Sequence, residues 1–409
     1  MTNHSLNWKN IYLGQILINI AIGIYFIFII DSNVDKSLQY IKLDSCYTIV
    51  LVFLFILEFI SKRFPRKTLL LFTDWLSILA LPYLFNYFLT EFFYSLADNY
   101  LFNQNTILII AYILLYLIFL IPLIEVKFAK ISNNFLRLFA VITLELNLYL
   151  TDRFTVNSLP AILKLINNSG IYISIMLLIV TTILIKRWYF PQCFNLKFIK
   201  SANFQTWVLI LLLLFGTWFI FFVHFINLAS SPAQIFWQWN SFLNSEVISI
   251  KWSDIFNSLY AGLAEEIERY LNLTLLLLIF RNSKQKVPLS ILISTLIFAL
   301  WHFTNLEISN RTIYSVILQV IAAFGFGAFL ATLYLYTGKL WLTFIFHTIA
   351  DIIAFAITNS YAQGLSMSAI LTPTSACLIA TAFPLLVTIL MMFGKPRKVL
   401  DENADRIIG

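Results

Sequence analysis

Three carboxylates and an arginine crowd into one otherwise apolar segment, Ala264-Glu265-Glu266-Ile267-Glu268-Arg269-Tyr270. On a helix they occupy about one and a half turns. An ionised side chain at the bilayer centre costs roughly 2.5 to 3.5 kcal/mol on insertion scales, so such a run demands partners or water. Candidate partners stand in two later apolar segments, Phe298-Ala-Leu-Trp301-His302 and His347-Thr-Ile-Ala-Asp351. His347 and Asp351 are four residues apart and share one helix face. Two carboxylates, two imidazoles and a further acid are the groups that activate a water molecule. A carboxylate in low-dielectric surroundings is a stronger base than in water, an imidazole shares or relays the proton, and a tetrahedral oxyanion needs donors.

The elements that must position these residues are membrane helices. Of 409 residues 60% are hydrophobic and only 11% charged, and the mean hydropathy is +0.85. A soluble chain carries about 25% charged residues, so an ordinary water-facing surface is excluded. Glycine and proline together make 21 residues, too few for a disordered or collagenous chain. Cys46, Cys193 and Cys377 have no paired spacing, so neither a disulfide framework nor a CxxC metal site is expected. The net charge of +7 comes from residues flanking apolar blocks, with no aromatic-interleaved basic face for nucleic acid.

Apolar blocks near the 20 residues of a spanning helix predict an all-α polytopic bundle of about 12 transmembrane helices. The blocks run from 11–30 to 369–393, and those at 46–60, 136–151 and 170–185 are short. With the N-terminus inside, 20 of the 27 basic residues fall in inner loops, 6 in outer loops, and Arg269 within a helix. That bias predicts a multi-pass protein with both termini inside, and the location expected for it is a bacterial cell membrane. The basic stretch 186–206 separates residues 1–200, about six helices of unassigned role, from a second half at 205–393, with 394–409 as a basic cytoplasmic tail. In the first half Glu58, Asp74 and Glu145 read as helix-end or packing carboxylates, and His224 reads as an interfacial histidine.

Taken in order, the three motifs resemble those of the CPBP intramembrane proteases, also called the Abi or CAAX prenyl protease type. The family pattern is Glu-Glu-x-x-x-Arg, then Phe-x-x-x-His, then His-x-x-x-Asn or Asp, on successive helices. Glu265-Glu266 corresponds to the first, Phe298 to His302 to the second, and His347 to Asp351 to the third. Gly338-Lys339-Leu340-Trp341 is similar to the family's Gly-Ser-Leu-Trp approach, and the resemblance covers roughly residues 205–393. It implies a glutamate-type endopeptidase acting on a membrane-associated or exported peptide or protein. Glu265 would be the base with Glu266 in support, and His302 would share the water. His347 and Asp351 would stabilise the oxyanion, with Asp351 protonated or else orienting His347 from behind. No cofactor is implied; zinc is the alternative, since two histidines and a glutamate are legitimate ligands. The lipid bilayer is a further partner, and the oligomeric state is open.

The first motif departs from the family. Tyr270 stands where the arginine would fall, and Arg269 is one residue early. One residue is about 100° on a helix, which aligns Arg269 with Glu265 at i+4 and weakens that base, unless Tyr270 and Glu268 engage the neighbouring groups. If Arg269 sets the register, Ala264 takes the base position, and the chain is an impaired relative acting as a membrane scaffold or bacteriocin-immunity factor. A secondary transporter also fits about twelve helices, but Pro82, Pro122, Pro373 and Pro384 form no matched pairs of broken helices.

The charge count runs the Glu265 helix from outside to inside, so the site is expected in the outer half of the membrane. Single cysteines at Gln363→Cys and Ser283→Cys, in a background lacking Cys46, Cys193 and Cys377, test this in whole cells. The first is expected to react with an impermeant thiol reagent and the second not; the reverse labelling inverts the orientation.

Overall fold

The computed structural model describes residues 7–30, 38–99, 105–150, 152–156, 158–190, 201–245, 247–307, 311–357 and 371–409. Cys193 and Gln363 lie outside the described residues. The described elements are helices throughout, with one isolated antiparallel bridge between Ile248 and Ile357. Eight of them are long and apolar enough to cross a membrane, or up to nine if Ala161–Ser169 and Ile171–Arg187, bent by 58°, form one span. The chain is an all-α polytopic membrane protein. Against the expected count of about twelve, every expected span coincides with a helix. Those outside the eight are short (16 and 17 residues), bent, or, for Trp252–Ile279, too charged.

Two compact units, Met1–Trp188 and Tyr189–Gly409, divide the chain. The first contains α1 (Trp8–Tyr25), α2 (Leu38–Arg63), α3 (Lys67–Asn99), α4 (Asn105–Ile118), α5 (Ile121–Val126), α6 (Asn134–Tyr149), α7 (Ala161–Ser169) and α8 (Ile171–Arg187). Aromatic and aliphatic side chains such as Tyr12, Leu54, Leu81, Phe88, Tyr112 and Tyr172 fill its interior. Glu58 and Asp74, expected as isolated carboxylates, instead meet one cation. Lys127, just beyond α5, pairs with Glu58 and lies 2.6 Å from Asp74 Oδ1. The Tyr12 hydroxyl donates to Glu58 Oε1 at 3.1 Å. The cluster joins positions 58, 74 and 127, a separation that spacing along one helix cannot reveal. Glu145 is fully buried in α6.

The second unit holds α9 (Thr206–Phe225), α10 (Pro232–Phe236), α11 (Trp252–Ile279), α12 (Lys286–Trp301), α13 (Ile313–Thr337), α14 (Leu340–Ala356), α15 (Pro373–Met391) and α16 (Gly394–Ile408). α11 begins where Asp254 accepts the Lys251 backbone N–H at 2.9 Å. Its residues from Glu266 to Leu277 are buried on all sides, among α12, α14 and α16. The charges that bar it from the spanning set are thus sheltered by protein rather than lipid.

α11 and α14 run side by side, and the Ser249 N–H bonds the Ala356 carbonyl at 2.8 Å where the two elements meet at one end. Gly262 permits their close approach, because a Cβ there would stand 2.4 Å from Thr348 Oγ1 and 3.1 Å from its backbone nitrogen. Gly338, at φ 65°, ends α13 in the left-handed conformation and turns the chain into α14 within two residues. Residues 394–409, expected as a tail, form α16, which buries Val399, Leu400, Asn403, Ala404 and Ile408 against α11, α12 and α13.

The buried cation in the first unit makes a direct prediction. Lys127→Met leaves Glu58 uncompensated and is expected to cost about 3 to 5 kcal/mol, read as a lowered unfolding temperature in detergent. Adding Glu58→Gln should recover part of the loss. Unchanged stability in Lys127→Met would show that the pair contributes nothing.

Candidate active site

Glu266 lies at the centre of the constellation. Its side chain is 1% exposed and that of Arg269 is 2% exposed. One turn apart on α11, they form an ion pair through Glu266 Oε1 and Arg269 Nη1. The same Oε1 lies 2.7 Å from Nδ1 of His347 on α14. An ionised carboxylate only accepts, so Nδ1 of His347 is the donor in that bond.

The other nitrogen of His347, Nε2, faces two more acids, Glu265 Oε2 at 3.3 Å and Asp351 Oδ2 at 3.7 Å. Glu265 and Asp351 are each about a fifth exposed, against 5% for His347. The buried end of the chain is therefore Arg269 and Glu266, and the accessible end is Glu265 and Asp351.

The shifted arginine resolves differently from the register expectation. Arg269 pairs with Glu266 at i+3, not with Glu265 at i+4. Its guanidinium also lies over the Phe298 ring, 4.0 Å from the centroid, which fixes its plane. Tyr270 packs its ring edge-on against Tyr334 of α13 at 5.8 Å. Glu268 is buried in the same helix.

His302 opens the turn that follows α12, and its Nδ1 lies 3.2 Å from the Phe298 carbonyl. A carbonyl only accepts, so Nδ1 carries the proton and Nε2 keeps its lone pair. Phe298 is edge-on to both imidazoles, at 5.1 Å from His302 and 6.0 Å from His347. The phenylalanine of the second motif is thus the wall that spaces arginine and histidines.

His302, His347 and Asp351 line one cavity of about 200 Å³, together with Phe298, Phe326 and small residues such as Ala323 and Ala350. Glu265 is joined to it through His347 rather than lining it. Among the described residues no three His, Cys, Asp or Glu side chains converge with the spacing of a metal site.

Two cavity residues lie outside the motifs. His224 of α9, expected at the interface, lines the cavity instead, and Gln319 of α13 does likewise. Composition gave one signal for His224, a lone imidazole within an apolar run. Helical spacing alone does not say which face of α9 turns inward.

A model of the family described as Rce1-like, type II CAAX prenyl endopeptidase, matches residues 247–353. The match includes all three motifs but is narrower than the expected 205–393, leaving α9 and α15 outside it. No curated protein and no solved structure matches the chain. Residues 247–353, with their motifs gathered about one buried carboxylate, are a type II CAAX prenyl endopeptidase Rce1-like domain, consistent with a CPBP family intramembrane protease.

Proposed function

We propose that this protein is an intramembrane endopeptidase in which Glu265 activates water for attack on a peptide bond. The observation that carries this reading is the division of labour between adjacent glutamates. Arg269 is engaged by Glu266, so Glu265 keeps a carboxylate beside His347 Nε2 at 3.3 Å. In the impaired reading, by contrast, the arginine sets the register and Ala264 holds the base position. Ala264 is buried and has no ionisable group.

The chemistry follows the geometry. Glu265 takes a proton from water as the hydroxide oxygen bonds the peptide carbonyl carbon, and His347 lies within reach to relay that proton. His302, which lines the cavity that Glu265 adjoins through His347, holds the water's second proton through Nε2. When the C–N bond breaks, the proton passes to the leaving amine, and the products are a carboxylic acid and an amine. Asp351 orients His347 Nε2 from the same helix. With Nδ1 of His347 committed to Glu266, that nitrogen is not an oxyanion donor.

The substrate is a membrane-associated or exported peptide, reached from the outer half of the bilayer by the charge count. A cell-membrane location and bacterial origin accompany this reading.

Purified protein in nanodiscs, screened with internally quenched apolar peptides, tests it. Glu265→Gln is expected to reduce cleavage at least about 100-fold while leaving the unfolding temperature in place. Glu266→Gln is expected to lower stability as well, because it removes the negative charge that compensates a buried arginine and weakens the acceptor that the arginine shares with an imidazole. Undiminished cleavage by purified Glu265→Gln would overturn the assignment.

A further inference from the structure

The cavity has a second polar wall that none of the three motifs accounts for. It comes from α9 and α13 and consists of His224 and Gln319. The Nε2 of His224 is buried and has no hydrogen-bond partner among the described residues. A neutral imidazole carries one nitrogen with a lone pair, so Nε2 is able to accept. A buried polar atom without a partner is costly, which argues for an occupant that bonds it.

Gln319 is held in the complementary sense. Its Oε1 accepts from Asn305 Nδ2 at 3.0 Å and from Arg311 Nη1 at 2.9 Å. Both neighbours donate only through those groups, so the amide is fixed with oxygen toward them. Its NH2 group is thereby left to donate. His224 and Gln319 line the same cavity as His302, His347 and Asp351.

An acceptor and a donor in an otherwise apolar wall match one chemical unit, a backbone amide, whose N–H and C=O must both be satisfied when buried. We propose that His224 and Gln319 form a clamp for the substrate backbone, His224 Nε2 accepting a peptide N–H and Gln319 Nε2 donating to a peptide carbonyl. The clamp rests on the peptidase reading and deepens it. It makes His224, outside the matched residues 247–353, a positioning residue of the site.

A second cavity of about 210 Å³ shares Val223, Gln319, Ala322 and Ala380 with the first. Leu318, Ile226, Ala376, Pro373 and Cys377 close it, so its walls are mostly apolar. A backbone held at Gln319 turns one side chain into this space. The substrate class is therefore a peptide with an apolar residue at the clamped position.

Binding separates the clamp from the chemistry. The probe is an N-acetylated, C-amidated hexapeptide of alanine and leucine with one photo-leucine, titrated by crosslinking onto full-length Glu265→Gln protein in detergent. A set of probes N-methylated at one amide at a time is compared with it. One N-methyl position is expected to weaken binding roughly tenfold, and that loss should vanish when His224→Phe is added. Gln319→Glu keeps the acceptor for Asn305 and Arg311 but removes the donor, and should weaken the unmodified probe by a similar factor at unchanged unfolding temperature.

N-methyl losses that are equal with and without His224, or full binding by Gln319→Glu, would mean that the two groups hold water alone, and would overturn the clamp. So would a probe that does not bind. Cleavage of the probe by wild-type protein without any coupling to His224 removes the clamp and leaves the peptidase. Coupled binding without cleavage of any peptide does the reverse.

Discussion

Glu266 Oε1 accepts from two donors at once, the guanidinium of Arg269 and Nδ1 of His347. Taking a carboxylate, a guanidinium and an imidazole out of water is expensive, and the cost is offset only when each finds its partner. Here one oxygen ties α11 to α14 and fixes which nitrogen of His347 carries the proton. Everything nearer the cavity follows from that tautomer. Nε2 turns to Glu265 and Asp351, and these more exposed carboxyls form the accessible end of the chain.

The packing supports this constraint from three sides. Gly262 lets α11 approach the backbone of α14. Phe298 lies under the Arg269 guanidinium and edge-on to both imidazoles, so one ring sets three polar groups. The turn at Gly338 returns the chain from α13 into α14, which carries His347 and Asp351. Small residues and one aromatic ring thus hold charges in a region that would otherwise reject them.

Much of this was legible in the sequence, for physical reasons. Apolar blocks give helices, and His347 with Asp351 at i and i+4 gives one face. The pairing of Arg269 was not legible, since Glu265 and Glu266 are both within reach on a helix and the choice is made by His347 from another element. Nor was the place of His224 in the cavity wall, because the face that α9 presents is set by packing on α14. Lys127 gathers Glu58 and Asp74 from distant positions, and the inward face of α16 lies in a segment whose charges suggested a tail. In each case the missing information was a partner far away in sequence.

The central claim is that Glu266 holds His347 by Nδ1. Histidine-selective 15N labelling, with the His347 signal identified by its loss in His347→Gln, reads that nitrogen directly by solid-state NMR in bilayers. The account predicts a protonated, strongly hydrogen-bonded Nδ1 that changes when Glu266→Gln is introduced and not when Ser283→Cys is. A bare Nδ1 on His347, or a signal indifferent to Glu266→Gln, would contradict it.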